Sequence, residues 1–130
     1  MNVLKKALVL GAVGVMLAVP GYAKVVTGSQ SDANLDLKYP LVYTDSAYAQ
    51  QAINTDIANY VLEAKDMYYN QHVYQVSQNY NVTYEDNQVV SILLTTRYYY
   101  AGAVHGMYNT KGLVYNKVTG ERIPLYNYIK

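Results

Sequence analysis

Apolar and polar residues alternate in the first structured stretch of this chain. Leu35, Leu37 and Tyr39 alternate with Asp36 and Lys38, which is the period of a strand with one buried face. The proline at position 40 has no backbone donor and restricts the preceding residue to extended conformations. The pattern therefore predicts a strand that ends, or lies at a sheet edge, near residue 40.

A helical spacing follows and predicts one long amphipathic helix over residues 46–69. Thr44, Asp45 and Ser46 supply N-cap candidates. Asn70 is predicted to end the helix, because Asn tolerates the left-handed conformation. The apolar side of this helix, at spacings of three and four, consists of Ile53, Ile57, Tyr60, Val61, Ala64 and Tyr68.

Two long strands are predicted after the helix, joined by a turn at residues 86–88. The second of them, residues 89–100, is apolar on both sides, so we expect it inside the sheet. A final hairpin is predicted from residues 113–115 to residues 121–125, with Thr119 and Gly120 in the connection.

These elements predict an α+β fold, with one long amphipathic helix packed on a mainly antiparallel sheet of about four to five strands. We expect Ile53, Ile57 and Val61 on the helix to face Ile92 and Leu94 on the sheet, because each set forms the apolar side of its element.

The first 23 residues have the layout of a secretory signal peptide. Lys5 and Lys6 precede an uncharged apolar run at residues 7–19, and small residues stand just before Lys24. Thirteen apolar residues are fewer than the roughly 20 that span a membrane. Cleavage after Ala23 is therefore predicted, and an uncleaved membrane anchor is the alternative. Residues 24–34 are predicted to be a flexible lead-in, and residues 35–130 a single domain.

Composition narrows the classes of function. The chain has no cysteine, which excludes disulfides, a cysteine nucleophile and thiolate metal sites. Without the two lysines of the signal peptide, eight basic and nine acidic residues remain. Neither nucleic acid nor an anionic membrane surface is therefore expected as a partner, and a membrane would be reached only through an uncleaved signal.

Tyrosine is the only aromatic residue, with 17 copies and neither Phe nor Trp. High strand propensity is one explanation of this usage. Tyrosine also offers rigid contact area that binds peptides and sugars at low entropic cost. The tyrosine-rich end of the apolar stretch at residues 89–100 is therefore a candidate for binding.

The candidate binding site lies where that stretch opens into a loop, and the local sequence is RYYYAGAVHG. We hypothesise that Tyr98, Tyr100 and His105 lie close together and form a binding site. Gly102 and Gly106 are expected to shape the loop, since glycine allows bends that other residues resist. Tyr99 is expected on the opposite face of the strand.

His105 has two interpretations. An exposed histidine can act as base, metal ligand or pH sensor, whereas a structural histidine would bond nearby backbone groups and hold the loop. In the structural case, alanine at this position should cost on the order of 1–3 kcal/mol. His72 is the only other histidine and no nucleophile elbow is present. No catalytic residue, metal site or cofactor is therefore predicted.

The order of residues resembles the extracytoplasmic domain family named after the deacetylase PdaC, which is also found in RsiV-type anti-sigma factors. The similarity lies in Tyr39-Pro40, the helix segment at residues 53–57, the strand and loop at residues 90–106, and the last hairpin. The resemblance implies an envelope-located α+β domain without catalysis of its own. In those proteins it accompanies a deacetylase domain or belongs to a lysozyme-sensing ectodomain.

The expected function is therefore that of an exported, periplasmic or extracellular, non-catalytic binding module of the cell envelope. Its expected partner is peptidoglycan, another glycan or an envelope protein. The alternative is a secreted sensor or inhibitor that binds a lysozyme-like hydrolase.

Overall fold

The computed structural model describes residues 24–124 and confirms the predicted α+β class. The predicted signal peptide at residues 1–23 and the last six residues lie outside the described part. One helix packs against a sheet of five strands, and the elements in chain order are β1 (Val25–Asp32), β2 (Leu35–Val42), α1 (Ala47–Asn70), β3 (Gln75–Glu85), β4 (Val89–Tyr99) and β5 (Met107–Asn116).

The strands lie side by side in chain order. β1–β2, β3–β4 and β4–β5 are antiparallel pairs, whereas β2 and β3 are parallel. The parallel pairing is short, joining Leu35–Leu37 to Val76–Gln78. A parallel pair needs a long crossover connection, and α1 provides it.

The prediction of a flexible lead-in at residues 24–34 is wrong. Residues 25–32 form β1, which pairs with β2 along its whole length. The strand was not predicted because its small polar residues show no alternation of apolar and polar positions. Val25 and Val26 are nevertheless half-buried and pack on the core. Gly28 is buried against the ring of Tyr39, where a side chain would not fit.

The helix begins as predicted. Ser46 is the N-cap, and its hydroxyl accepts a hydrogen bond from the Ala49 amide. Asn70 is the last helical residue, but the left-handed conformation expected there occurs at His72, with φ 59°. This later turn allows the Val73 amide to reach the Met67 carbonyl at 3.3 Å.

The core consists of two apolar clusters, and α1 contributes to both. Ile53 and Ile57 share a cluster with Ile92 and Leu94, as predicted. Val61 lies in the other cluster instead, together with residues of β2 and β3. The reason is the length of the helix, since 24 residues extend about 36 Å and reach from one half of the sheet to the other.

Only one face of the sheet is covered by the helix. β4 lies between β3 and β5, inside the sheet as expected. Its second face is not buried, however, because Leu93 is 40% exposed and Arg97 is exposed. We call this uncovered side, which carries Leu93, Arg97 and their cross-strand neighbours, the open face.

The last strand is longer than predicted. β5 starts at Met107 rather than near residue 113. The early start was not predicted because the first six residues of the strand are exposed and lack an apolar alternation. The predicted second strand of the hairpin is reduced to a single bridge between Tyr115 and Arg122, within the residues that the structure describes.

A polar network attaches the segment after β5 to the helix. The hydroxyl of the fully buried Tyr115 donates to Asp56 Oδ2 at 2.6 Å. Arg122 donates to the Tyr60 hydroxyl at 2.7 Å and lies 3.4 Å from the same carboxylate. Burial, followed by the hydrogen bond to Asp56, raises the pKa of Tyr115 well above that of a free tyrosine.

This shift predicts a loss of stability in alkali. A tyrosine whose pKa is higher in the folded than in the unfolded state contributes stability at any pH below its unfolded-state pKa of about 10. This contribution is lost as the pH rises from about 10 through the folded-state pKa. The fall in unfolding free energy between pH 9 and pH 11 should be about 1.4 kcal/mol smaller in Tyr115→Phe than in the wild type. Urea titrations at the two pH values measure it, and equal falls would contradict the assignment.

Candidate functional site

The predicted site residues lie at the end of β4 and in the loop of residues 100–106. The rings of Tyr98 and Tyr100 meet edge to face, with centroids 6.1 Å apart. Tyr98 is half-buried and packs against the cluster that contains Val61, whereas Tyr100 is 46% exposed. The structure therefore brings the two tyrosines together, with one of them anchored in the core.

His105 is not part of that pair. Its side chain is exposed, and Nδ1 lies 3.4 Å from the Gly106 carbonyl oxygen, a weak contact. Among the described residues, no hydrogen bond or ring contact joins it to Tyr98 or Tyr100. The expected three-residue cluster is thus present only as the tyrosine pair.

The exposure of His105 also changes the expected cost of replacing it. His105→Ala leaves no buried partner unpaired, so the unfolding free energy should change by less than about 0.5 kcal/mol, as at ordinary surface positions. This corrects the 1–3 kcal/mol expected for a structural histidine. Thermal or urea unfolding of the variant tests it, and a loss above 1 kcal/mol would restore the structural role.

Tyr99 and the glycines determine the course of the loop. The Tyr99 hydroxyl donates to the Ala103 carbonyl, and the Ala103 amide donates to Tyr100 O at 3.0 Å. Gly102 has φ 84°, a conformation that L side chains rarely adopt. At Gly106 a Cβ atom would lie 3.3 Å from Tyr98 O, so the chain passes close to the end of β4.

Two glycines with nearly equal positive φ angles should respond differently to alanine. Gly102 has open space around it, whereas a Cβ at Gly120, with φ 83°, would lie 2.9 Å from Ala49 Cα and from Ala52 Cβ. Gly102→Ala should cost only the conformational term, about 1–2 kcal/mol. Gly120→Ala should cost about 1–3 kcal/mol more because it also overpacks the helix contact. Urea unfolding of both variants measures the difference, and equal losses would contradict it.

A cleft of about 350 Å³ lies on the open face beside the loop. Two cross-strand rows form its floor. Ser77 pairs with Arg97 and Arg97 with Tyr108, while Gln75 pairs with Tyr99 in the next row. The described residues that line the cleft are Gln75, Ser77, Arg97, Tyr98, Tyr99, Gly106, Met107 and Tyr108.

Arg97 is the one charged residue in this lining. Its guanidinium carbon lies 5.5 Å from the centre of the Tyr108 ring, which is a cation–π distance. Tyr108 is 68% exposed, so both groups are open to a ligand. In the described part of the chain, no ion pair or hydrogen bond occupies the Arg97 side chain.

A smaller groove of about 130 Å³ lies on the helix side of the sheet, between α1 and the strands β4 and β5. Glu63 and Lys111 place opposite charges on it, and Tyr98 lines it as well as the cleft. Its volume is well below that of ordinary small-molecule sites, so the open-face cleft is the better candidate.

Residues 24–124 contain no group of three or more His, Cys, Asp and Glu side chains positioned to hold a metal ion. Nor does this part of the chain include a helix with the length and apolarity needed to cross a membrane.

Neither Arg97 nor Tyr108 was predicted as a site residue. Arg97 is the only charged residue of β4, and its position two residues before Tyr99 was a usable signal, because alternate residues share a face. Tyr108 carried no such signal, since its pairing with Arg97 depends on the start of β5 and on the register between the strands.

Comparisons with known proteins identify the fold. No protein-family model matches the chain, and no curated protein matches it in sequence. A DUF3298 family protein from Pseudomonas aeruginosa PAO1 superimposes with a TM-score of 0.57 at 11% identity, over 85% of this chain. A second member of that family, from Bacteroides fragilis, gives a TM-score of 0.47 at 11% identity over 80% of this chain.

The chain spans 58% of the length of each of these two proteins. At this level of identity the likeness is one of backbone architecture. The described chain therefore resembles, in its fold, part of a DUF3298 family protein.

Proposed function

We propose that this protein is an exported, non-catalytic binding domain of the bacterial cell envelope and that it recognises a cell-wall glycan, with peptidoglycan as the first candidate. The observation that carries the proposal is the open-face cleft, in which exposed tyrosine, amide, hydroxyl and guanidinium groups converge.

The lining suits a saccharide. Sugar rings present apolar faces that pack on aromatic rings, and Tyr108 offers such a ring in an exposed position. Gln75 and Ser77 supply hydrogen-bonding groups on the neighbouring strand. The cleft volume of about 350 Å³ lies within the usual range of small-ligand sites.

Location in the envelope rests on the sequence. The N-terminal layout is that of a signal peptide, and the resemblance to the PdaC and RsiV type of domain supports an extracytoplasmic location. In such a location peptidoglycan is the abundant polymer that a domain of this kind would meet.

Co-sedimentation with insoluble peptidoglycan tests the proposal. The protein starting at Lys24 should pellet with the polymer, and Tyr108→Ala should reduce the bound fraction. Tyr48→Ala is the matched control, because Tyr48 is a 77% exposed tyrosine on the helix, outside the cleft lining. The proposal fails if the protein stays in the supernatant, or if both variants bind like the wild type.

A second candidate function is binding of a lysozyme-like hydrolase as a sensor or inhibitor. The observation that favours it is Val104, which is 95% exposed at the tip of the loop between Gly102 and Gly106. A projecting apolar side chain on a short loop fits insertion into an enzyme cleft. Size-exclusion chromatography with lysozyme tests this alternative, and Val104→Asp should abolish any complex that forms.

A further inference from the structure

Resting on the proposed glycan-binding function, we infer that the cleft selects ligands that carry a carboxylate and that Arg97 is the residue that binds it. The ligand class is an acidic saccharide, whose carboxylate belongs either to the sugar or to a peptide attached to it.

The first argument is that the Arg97 charge has no anionic partner among the described residues. The acidic residue in the same cross-strand row is Asp36, which pairs with Ser77 across β2 and β3. Asp36 lies 3.1 Å from Lys38 Nζ and is thus already in an ion pair. Among the described residues, no carboxylate belongs to the cleft lining, so a negatively charged ligand in the cleft itself would meet the positive charge of Arg97.

The second argument is that Tyr108 restrains Arg97 without using its donors. The cation lies over the face of the Tyr108 ring, a contact that uses the charge and not a hydrogen bond, so the guanidinium N–H groups remain able to donate. A carboxylate accepts two parallel hydrogen bonds from the edge of a guanidinium, a geometry that Lys does not reproduce. The contact at 5.5 Å therefore prepares the group for a bidentate ligand.

The third argument concerns the neighbours of this charge. Gln75 and Ser77 lie on β3 beside Tyr99 and Arg97. They provide neutral donors and acceptors next to the cation, as needed for the hydroxyl and amide groups of a sugar whose carboxylate is held by the arginine. The group that would bind the carboxylate and the groups that would bind the sugar thus lie on adjacent strands of one surface.

The test compares three soluble probes by NMR titration of the protein starting at Lys24. N-acetylglucosaminyl-N-acetylmuramic acid carries a free carboxylate on the sugar, and N,N′-diacetylchitobiose is its counterpart without a carboxylate. A muramyl dipeptide carries the carboxylate on the peptide. The wild type should bind the better of the two acidic probes about tenfold or more tightly than chitobiose, the effect of a charge-assisted hydrogen bond.

The variants assign the effect to Arg97. Arg97→Gln should weaken binding of the acidic probe about tenfold more than it weakens binding of chitobiose, so that the preference is lost, while Arg97→Lys should retain only part of the preference. Rising salt should weaken the acidic probe alone. Because Arg97 is exposed, thermal unfolding should be the same in all three proteins, which verifies that the variants fold.

The outcomes separate the inference from the function on which it rests. If peptidoglycan sediments the protein but the three probes bind equally, or Arg97→Gln keeps the preference, the carboxylate inference is overturned and the glycan proposal stands. If neither peptidoglycan nor any probe binds, both are overturned.

Discussion

Replacing Glu85 with alanine is expected to lower the free energy of unfolding by about 3–5 kcal/mol, because it leaves a buried ammonium group without its counter-ion. The side chain of Lys117 is only 1% exposed. Its Nζ atom donates to Glu85 Oε2 at 2.6 Å and to the Asp86 carbonyl oxygen at 2.8 Å. Removal of the carboxylate leaves the ammonium group with the neutral Asp86 carbonyl oxygen as acceptor and no negative charge beside it.

A double-mutant cycle gives this prediction its control. Lys117→Met removes the ammonium with little change in shape, and Glu85 is 22% exposed and can hydrate when left alone. The Glu85→Ala/Lys117→Met protein should therefore be more stable than Glu85→Ala, since no buried charge remains. Urea unfolding of the four proteins measures the cycle. A loss below about 1 kcal/mol for Glu85→Ala is typical of an exposed ion pair and would contradict the prediction that Lys117 needs Glu85 as its counter-ion.

Replacing Ile57 with alanine is expected to cost about 2–5 kcal/mol, the range for a large aliphatic side chain removed from a core. Ile57 is 1% exposed and lies in the cluster with Ile53, Ile92 and Leu94. The cavity would open between α1 and the sheet, where the rigid strands restrict collapse around it.

Thr55→Ala is the matched control, because Thr55 is an exposed residue on the same helix, two positions away. It should change the free energy of unfolding by less than about 0.5 kcal/mol. The same urea titrations serve for both variants. A change below that limit for Ile57→Ala would mean that the helix packs on the sheet through a different face.

The parts of the fold that the sequence predicts well are those with a strong apolar period. Ile53 and Ile57 recur at helical spacing, and Ile92 and Leu94 recur at strand spacing. Burial of these residues provides most of the driving force for docking the helix on the sheet. The N-cap at Ser46 was also predictable, since its hydroxyl satisfies a backbone donor that any helix start leaves free.

The edges of the sheet could not be predicted in the same way. β1 and the first half of β5 consist largely of small or polar residues. These strands form because β2 and β4 offer backbone partners, and hydrogen-bond pairing of this kind leaves no apolar period in the sequence.

The cleft was unpredictable for a related reason. Arg97 and Tyr108 are 11 positions apart and meet only through the register of β4 with β5. The loop between them offered His105 as the conspicuous residue, yet its side chain is exposed and Tyr99 makes the hydrogen bond to the loop. Which side chain a loop turns inward depends on backbone geometry that the composition of the loop does not encode.

The most direct test of the central claim, that the open face binds a cell-wall glycan, is chemical-shift mapping by ¹H–¹⁵N NMR. Solubilised peptidoglycan fragments would be added to the isotope-labelled protein starting at Lys24. Shifts should concentrate on the amides of Ser77, Arg97 and Tyr108 and on the residues paired with them. An absence of shifts, or shifts confined to the Val104 loop or to the helix-side groove, would contradict the claim.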